Sequence, residues 1–283
     1  RDRAIHGINL PKHLEQTLQP RGCMEVVRRW QAEGRIGHVG FSTHGPTALI
    51  AQACDSGAFD YVNLHWYYIR QDNGPALDAA RRQDMGVFII SPTDKGGHLH
   101  TPSQRLLELC APLHPIVFND LFCLQDPRVH TISVGAARPD DLELHLEALR
   151  LLPEAASFIA PVDQRLRQAA DEALGRDWMA TWSVGLPPWH ATPGEVNLPV
   201  LLWLYNLLEA WDLESYAKAR YGLLGSGGHW FSGANADVFE DEVSVEDLQS
   251  VLQVSPWRER IPEILRSLKQ RLKGESQLRL SSV

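Results

Sequence analysis

Cysteine is scarce in this sequence of 283 residues, as are long apolar runs and any excess of basic charge. The four cysteines, Cys23, Cys54, Cys110 and Cys123, are widely spaced and form no CxxC pair. This spacing argues against a metal or iron–sulfur cluster held by cysteine, so no iron–sulfur cluster is expected. It is typical of free thiols in a reducing compartment, and we therefore expect a cytoplasmic protein.

Basic residues are also too few to suggest a polyanionic partner. Lys and Arg number 27 against 35 Asp and Glu, which gives a formal net charge of −8. Nucleic acid and anionic membrane surfaces attract a basic excess, so neither is an expected partner. No run approaches the roughly 18 consecutive apolar residues of a membrane span. The hydrophobic fraction of 44% and charged fraction of 22% are ordinary for a folded globular protein.

The first half of the chain alternates between short apolar runs and stretches with helical periodicity. The strand-like runs are 4–8, 36–41, 61–67, 87–90 and 131–134. The helical stretches are 14–33, 46–54, 75–83, 103–110, 116–123 and 139–151. Strand followed by helix, repeated about five times, predicts parallel βα units. Five units are too few to close an eight-stranded barrel, so we expect an α/β fold that is either an open doubly wound sheet or part of a barrel.

The second half lacks any alternation typical of strands. It contains helical stretches at 153–174, 198–211, 214–224, 245–254 and 261–273, of which 198–211 is strongly apolar, and a loop rich in Trp, Pro and Gly at 177–197. We therefore predict a domain of βα units over 1–152 and a small α-helical domain over 153–274. The polar residues 275–283 are expected to fray.

In proteins built from βα units, chemistry is found at the carboxyl ends of the strands. That rule selects His6 after the first strand, Ser42 and His44 after the second, and Asn63 and His65 in the third. It also selects the loops 91–97 and 135–139, which are rich in Gly and Pro. Such loops can bind phosphate through backbone N–H groups, but tight βα turns need Gly and Pro in any case.

Three of these side chains allow a different chemistry. His6, His44 and His65, with Asp94 nearby, are residue types that can hold a hydrolytic metal ion. No HExxH or His-x-His spacing supports such a site. Hydrogen-bonded structural histidines are the favoured interpretation, and a metal-dependent hydrolase is the alternative.

Several of the same segments resemble the aldo-keto reductase superfamily. Residues 33–44, EGRIGHVGFSTH, resemble the family's G-K/R-I-R-x-I-G-x-S segment, and FDYVN at 59–63 looks like its next strand. Residues 90–92, ISP, look like the family's Y-S-P-L-G segment, and 133–142 resemble its last strand and cofactor loop. IHGIN at 5–9 then matches the strand that carries the catalytic histidine. The resemblance covers about residues 1–152 and keeps its order throughout.

The resemblance implies an NAD(P)H-dependent carbonyl reductase on a (β/α)8 barrel, of which this chain holds a partial barrel. In that family a tyrosine acts as general acid, helped by a lysine and an aspartate, while a histidine orients the substrate carbonyl. Of these four residues only His6 has a counterpart here. The sequence opens on Arg1-Asp2-Arg3 without Met. We therefore expect an N-terminally truncated fragment that is inactive alone, whose complete gene product acts on a small-molecule carbonyl substrate.

The resemblance also implies cofactor contacts at Ser42, Asn63, Ser91, Gly135 and Arg138. Ser42 would contact the nicotinamide carboxamide, and Asn63 stands where the family usually has Gln. Asp141 stands where an Arg often binds the 2′-phosphate, so Arg138 would have to replace it. Both NADP and NAD are therefore candidate cofactors.

Residues 193–199, 218–221 and 228–231 resemble the helical part of a subgroup that carries a ferredoxin-like extension. Because no cysteine follows Cys123, that extension is expected to have lost its clusters. A third interpretation is a non-catalytic scaffold descended from a reductase. The sequence leaves the oligomeric state open.

Overall fold

The chain forms two compact units. The computed structural model describes residues 2–136, 139–226 and 231–274. The first unit comprises the residues up to Thr101 together with Pro112–Pro161, and the second comprises Pro102–Ala111 and the chain from Val162 onward. The predicted division at residue 152 lies inside the first unit, and the helix after Pro102 belongs with the second.

The first unit is built on a parallel sheet. Its strands are β1 (Arg3–Ile5), β2 (Val39–Ser42), β3 (Tyr61–Leu64), β4 (Gly86–Ile90) and β5 (Thr131–Ser133). Their order in the sheet is the order in the chain, and every neighbouring pair is parallel. Helices connect these strands, so the predicted α/β class is confirmed. Sequential parallel strands are the arrangement of a partial (β/α)8 barrel, whereas a doubly wound sheet reverses its strand order at a switch point.

The described residues contain α-helices in both units. In the first unit they are α1 (Pro11–Leu18), α2 (Cys23–Ala32), α3 (Thr47–Asp55), α4 (Gly74–Arg82), α5 (Pro92–Lys95), α7 (Pro115–Leu124) and α8 (Glu143–Leu151). In the second unit they are α6 (Gln104–Cys110), α10 (Arg176–Thr181), α11 (Leu198–Trp211), α12 (Glu214–Tyr221), α13 (Val245–Ser250) and α14 (Ile261–Leu272). Helix α9 (Ala155–Leu174) contains the division between the units at Pro161.

The three central strands of the sheet bury one face completely. Phe41, Val62 and Val87 stand side by side in the strand register, and all are 0% exposed. They form a core with small residues of the connecting helices, among them Ala53 and Ala79. Side chains alternate along a strand, so Ser42 and its register neighbours belong to the other face, which is more open. That face and the carboxyl ends of the strands carry the candidate site.

The structure corrects several predicted boundaries. The single helix predicted for 14–33 is two helices, α1 and α2, with a break at 19–22. Pro20 lies in the break and has no backbone N–H for a helical hydrogen bond. Gly22 is closely packed there, since a Cβ would lie 2.6 Å from the carbonyl oxygen of Gln16. The third strand ends at Leu64 rather than 67, so His65 follows the strand instead of lying in it.

Two further segments differ from prediction. The helix predicted at 139–151 begins as a 3₁₀ turn over Pro139–Leu142 before α8. The loop predicted at 177–197 includes α10 and two short 3₁₀ turns. Tertiary packing explains the extra helix, because Trp178 is 0% exposed and donates its indole N–H to Asn206 Oδ1 at 2.6 Å.

The second unit is helical around α11. Leu201, Leu202 and Leu204 of that helix are all 0% exposed. The guanidinium of Arg260 stacks over the Trp178 ring at 4.4 Å from its centroid. Burial and the hydrogen bond to Asp237 raise the pKa of the Tyr221 hydroxyl. The described part of the unit contains no strand ladder, in agreement with its sequence pattern.

Within the described residues, no helix taken singly has both the length and the apolar character needed to cross a membrane. The consecutive helices α6 and α7 meet those criteria only as a bent pair, by length and composition alone.

Candidate functional site

The predicted site residues that the structure describes stand at the carboxyl ends of the strands. His6 directly follows β1, Ser42 ends β2, and Asn63 lies one residue before the end of β3. Ser91 directly follows β4 and Gly135 lies two residues beyond β5. Arg138 lies outside the described residues. Because the strands are parallel, these positions all lie at the same side of the sheet, where the strands end, which we call the carboxyl edge.

His6 and Ser42 are in direct contact. The His6 Nδ1 and Ser42 Oγ atoms are 2.8 Å apart, although the residues are 36 positions apart in sequence. The Gly7 N–H donates to Ser42 Oγ at 3.2 Å and to the Ser42 carbonyl at 3.0 Å. Gly7 has φ of +80°, a conformation that glycine adopts without strain. The turn after β1 thus holds an exposed imidazole against a half-buried hydroxyl.

Asn63 extends this polar group to the next strand. It is the register partner of Ser42 in β2 and of Phe88 in β4, so the three side chains share one face of the sheet. Phe88 is 36% exposed and its ring lies 5.2 Å from that of Tyr61. The face therefore combines a hydroxyl, an amide and an open aromatic surface.

The two loops expected to bind phosphate differ from each other in how their backbone is placed. The Ser91 N–H donates to the Ser133 carbonyl at 3.0 Å, and the Lys95 N–H donates to the Ser91 carbonyl at 2.9 Å. These amides are used within the fold, so Ser91 could meet a ligand only through its side chain. At Gly135 a Cβ would have no protein atom within 4 Å, so the backbone there is open.

The electrostatics of the second loop also bear on phosphate. Asp140 and Asp141 lie in the first turn after the loop, where negative side chains are stabilised by the helix N-terminus. Their carboxylates repel a phosphate at the same place. The donor set at Ser42 and Asn63 suits a carboxamide.

His44 and His65, which the metal alternative requires, are in direct contact. His44 Nδ1 lies 2.6 Å from His65 Nε2, and the rings stack with centroids 4.7 Å apart. Two nitrogens bound to one tetrahedral zinc would lie about 3.4 Å apart. These two nitrogens are hydrogen-bonded to each other, and His6 Nδ1 is bonded to Ser42. Across residues 2–136, 139–226 and 231–274, no cluster of three His, Cys, Asp or Glu side chains could hold a metal ion.

Asp94, the remaining residue of the predicted metal set, contacts a different histidine. Asp94 lies in α5, with its carboxylate 3.6 Å from the His98 imidazole. The geometry therefore supports hydrogen-bonded histidines, the interpretation that the sequence favoured.

Sequence reasoning missed Tyr67, a fully buried residue of the site. Its hydroxyl lies 2.6 Å from His65 Nδ1 and donates to the Ile90 carbonyl at the end of β4. The apolar run 61–67 predicts Tyr67 as the last residue of a strand, whereas it forms a tight bridge with Arg70. A buried tyrosine needs a partner for its hydroxyl, and the sequence Asn63-Leu64-His65-Trp66-Tyr67 supplies one two residues away. That spacing was the available signal.

The cysteines are not part of this site. Cys54, Cys110 and Cys123 are buried, whereas Cys23 is exposed. Burial raises the pKa of the Cys54 and Cys110 thiols to about 12. A thiol with so high a pKa is neither a nucleophile nor a metal ligand at neutral pH.

Similarity to known proteins is found among solved structures. No family model matches the sequence, and no curated protein matches it. Among solved structures, aldo-keto reductase AKR11C1 from Bacillus halodurans matches in its holo and apo forms, each with a TM-score of 0.47 and 16% identity. Each match covers 58% of this chain, which spans 58% and 61% of the length of those two structures. The chain is thus similar to part of an aldo-keto reductase.

Proposed function

We propose that the protein containing this chain is a nicotinamide-dependent carbonyl reductase of aldo-keto reductase type. The observation that carries the proposal is the His6–Ser42 contact at the carboxyl edge, beside Asn63. It brings together three residues for which the sequence resemblance implied a catalytic or cofactor role. The activity, its small-molecule carbonyl substrate and a cytoplasmic location are proposed for the whole protein.

The proposed role of His6 follows from its hydrogen bond. The Ser42 hydroxyl oxygen accepts the Gly7 N–H, and in the proposed tautomer the hydroxyl donates its own proton to His6 Nδ1. The His6 proton is then on Nε2, where it can be donated to a substrate carbonyl oxygen. A donor fixed in this way stabilises negative charge that develops on that oxygen.

Ser42 and Asn63 are the proposed contacts of the nicotinamide carboxamide. Their positions in adjacent strands give a hydroxyl and an amide on one face. When bound, the nicotinamide supplies the hydride for carbonyl reduction. Phe88, on the same face, offers apolar surface to an aromatic ring. NAD and NADP are both candidates, because Asp140 and Asp141 oppose the 2′-phosphate of NADP at the last loop whereas Arg138 would bind it.

The test is cofactor binding by the whole gene product and by this chain, measured with NADPH and NADH by calorimetry. We expect saturable binding to the whole protein, weakened about fivefold to tenfold by Ser42→Ala, as for one hydrogen bond lost. The matched control is Ser56→Ala, which removes the hydroxyl bonded to the Ala53 carbonyl at the end of α3. If neither NADPH nor NADH binds the whole protein, the proposal is contradicted.

A further inference from the structure

The turn after β1 and the turn after β2 are tied together by hydrogen bonds that lie beyond the paired residues of the two strands. The first turn comprises residues 6–9, and the second comprises residues 43–45. The Ser42 carbonyl accepts the N–H groups of Gly7 and Ile8, each at 3.0 Å. The turn that carries His6 is therefore held directly against the end of β2.

Two side chains reinforce this contact, one from each turn, and we call them the Thr43–Asn9 clamp. The Thr43 hydroxyl donates to the Ile8 carbonyl at 2.7 Å, so a side chain of the second turn holds the first. Asn9 Oδ1 accepts the backbone N–H of His44 at 2.7 Å, so a side chain of the first turn holds the second. The two bonds thus join the same pair of turns from opposite sides.

Thr43 is the buried half of the clamp. It is 1% exposed, and its hydroxyl oxygen also accepts the Gly45 N–H at 2.9 Å. Its single hydroxyl proton is committed to the Ile8 carbonyl, because a carbonyl only accepts. The Thr43 N–H continues the sheet ladder to the Asn63 carbonyl at 3.2 Å, so its side chain lies on the face opposite to that of Ser42. We therefore expect no contact between Thr43 and a bound nucleotide.

The clamp matters for His6 because few other contacts hold its side chain. His6 is exposed, and within the part of the chain that the structure describes its imidazole forms a hydrogen bond only to Ser42 Oγ. Ser42 is a paired residue of β2, whereas His6 lies one residue beyond β1. The distance between the two side chains therefore depends on how firmly the first turn is held against the second.

We propose that the Thr43–Asn9 clamp positions His6, by holding the turn after β1 against β2 and thereby keeping the imidazole at the Ser42 hydroxyl. Both clamp residues are positioning residues, and the role of His6 toward a carbonyl oxygen rests on the proposed function. Loss of the clamp lets His6 leave the geometry in which it meets that oxygen, whereas Ser42 and Asn63 keep their places in the sheet. Removal of a clamp residue thus affects the reaction and leaves nucleotide binding unchanged.

The first test is amide hydrogen exchange, read by NMR in Thr43→Val, which keeps the shape of the side chain and removes the hydroxyl. We expect the Gly7 and Ile8 amide protons to exchange about fivefold to tenfold faster, the equivalent of one hydrogen bond. The amide protons of β3 and β4 should keep their rates, because the sheet itself is unchanged. Thr43→Ser retains the hydroxyl and should restore the protection of Gly7 and Ile8.

Thr17→Val is the matched control. Thr17 is also buried, and its hydroxyl donates to the His13 carbonyl at 2.7 Å within α1, so this variant loses an equal bond outside the clamp. Protection of the turn after β1 should be unchanged in it. Asn9→Ala should repeat the effect of Thr43→Val, and it serves as the second variant if Thr43→Val fails to fold.

The second test separates kcat from nucleotide affinity in the whole protein. Thr43→Val should lower kcat for carbonyl reduction about fivefold to tenfold, with the dissociation constants of NADPH and NADH unchanged. Thr43→Ser should recover kcat, whereas a residue that served stability alone would change neither quantity in folded protein. Weakened nucleotide binding with unchanged kcat would show a cofactor contact of Thr43 instead and would overturn the proposal.

Unchanged protection of Gly7 and Ile8 in Thr43→Val would also overturn the proposal, and so would an equal loss of protection throughout the sheet. Faster exchange with unchanged kcat would show that His6 does not depend on the clamp, which refutes its positioning role. If neither nucleotide binds, the carbonyl reductase function fails, and the exchange of the two amide protons alone decides whether the clamp holds the turn of His6.

Discussion

Gly40 of β2 faces the Tyr61 ring so closely that no side chain fits between them. A Cβ at position 40 would lie 2.3 Å from two ring carbons of Tyr61. We expect Gly40→Ala to destabilise the protein by about 1–3 kcal/mol, because the ring or the strand must move. Urea unfolding of the variant measures this loss.

The matched control is Gly135→Ala, since a Cβ there meets no atom within 4 Å. It should leave the unfolding midpoint nearly unchanged. Equal stability of the two variants would show that Tyr61 moves aside freely. Gly135→Ala has a second use, because a loss of nucleotide affinity with normal stability would support the predicted cofactor contact.

Individual residues also show where sequence reasoning succeeded. The sequence predicted that His6 and Ser42 lie at the carboxyl ends of their strands, and neighbouring parallel strands end at the same side of the sheet, but their direct contact is seen only in the structure. The His44–His65 bond does not follow from the sequence, since strand order leaves side-chain direction after the last strand residue undetermined. Tyr67 joins the site only because its tight bridge with Arg70 brings its hydroxyl to the end of β4.

At the scale of elements, α7 and α8 are joined by a buried contact between Asp120 and His145. Asp120 Oδ2 contacts His145 Nδ1, and their side chains are 1% and 8% exposed. Asp120 Oδ1 and His145 Nε2 are buried without a hydrogen-bond partner. Desolvation raises the pKa of the Asp120 carboxyl, while the hydrogen bond from His145 opposes that rise. An aspartate within the apolar helix Pro115–Leu124 was the sequence signal for this pair.

We expect His145→Ala to destabilise the protein by about 3–5 kcal/mol at neutral pH, since it leaves a buried carboxylate unpaired. A folded pKa above the unfolded value means that Asp120 favours folding when protonated, and this contribution is lost as pH rises through the folded pKa. The loss in His145→Ala should therefore shrink as the pH falls toward the usual range of aspartate. Urea unfolding at several pH values measures it.

Asp120→Asn provides the comparison for that experiment. It removes the buried charge and keeps the shape, so its stability should vary less with pH than that of His145→Ala. Adding Asp120→Asn to His145→Ala should recover part of the lost stability at neutral pH. A loss in His145→Ala that is the same at every pH would contradict this account.

Some helix boundaries are set by the local sequence and others by tertiary packing. Pro20 could have been identified as a break in the helix predicted for 14–33, because proline lacks the required N–H. Helix α10 could not have been predicted from its sequence, because the segment around it is rich in Trp and Pro. Its main anchor is the hydrogen bond from Trp178 to Asn206, 28 residues away.

At the scale of the whole molecule, the reactivity of the four cysteine thiols measures how well each unit excludes solvent. Cys54 and Cys123 belong to the first unit and Cys110 to the second, and all three are 0% exposed. We expect a thiol reagent at neutral pH to modify Cys23 alone in the native protein and all four cysteines in denaturant. Burial raises the pKa of each buried thiol, so reaction there requires opening of its unit.

Mass spectrometry of modified peptides over time measures this labelling. Cys23→Ser should abolish native labelling without changing stability. Labelling of Cys110 before Cys54 and Cys123 would show that the second unit opens independently of the first. Rapid native labelling of all four cysteines would contradict the burial of the other three.

The order of apolar runs and helical stretches by itself determined the α/β class, the parallel strands and their carboxyl edge, since these follow from local periodicity and chain connectivity. Only the tertiary structure decided which polar side chains meet at that edge and in which direction their hydrogen bonds run. The physical reason is that a hydrogen bond depends on atomic positions within a few tenths of an ångström. Packing between residues far apart in the chain sets those positions.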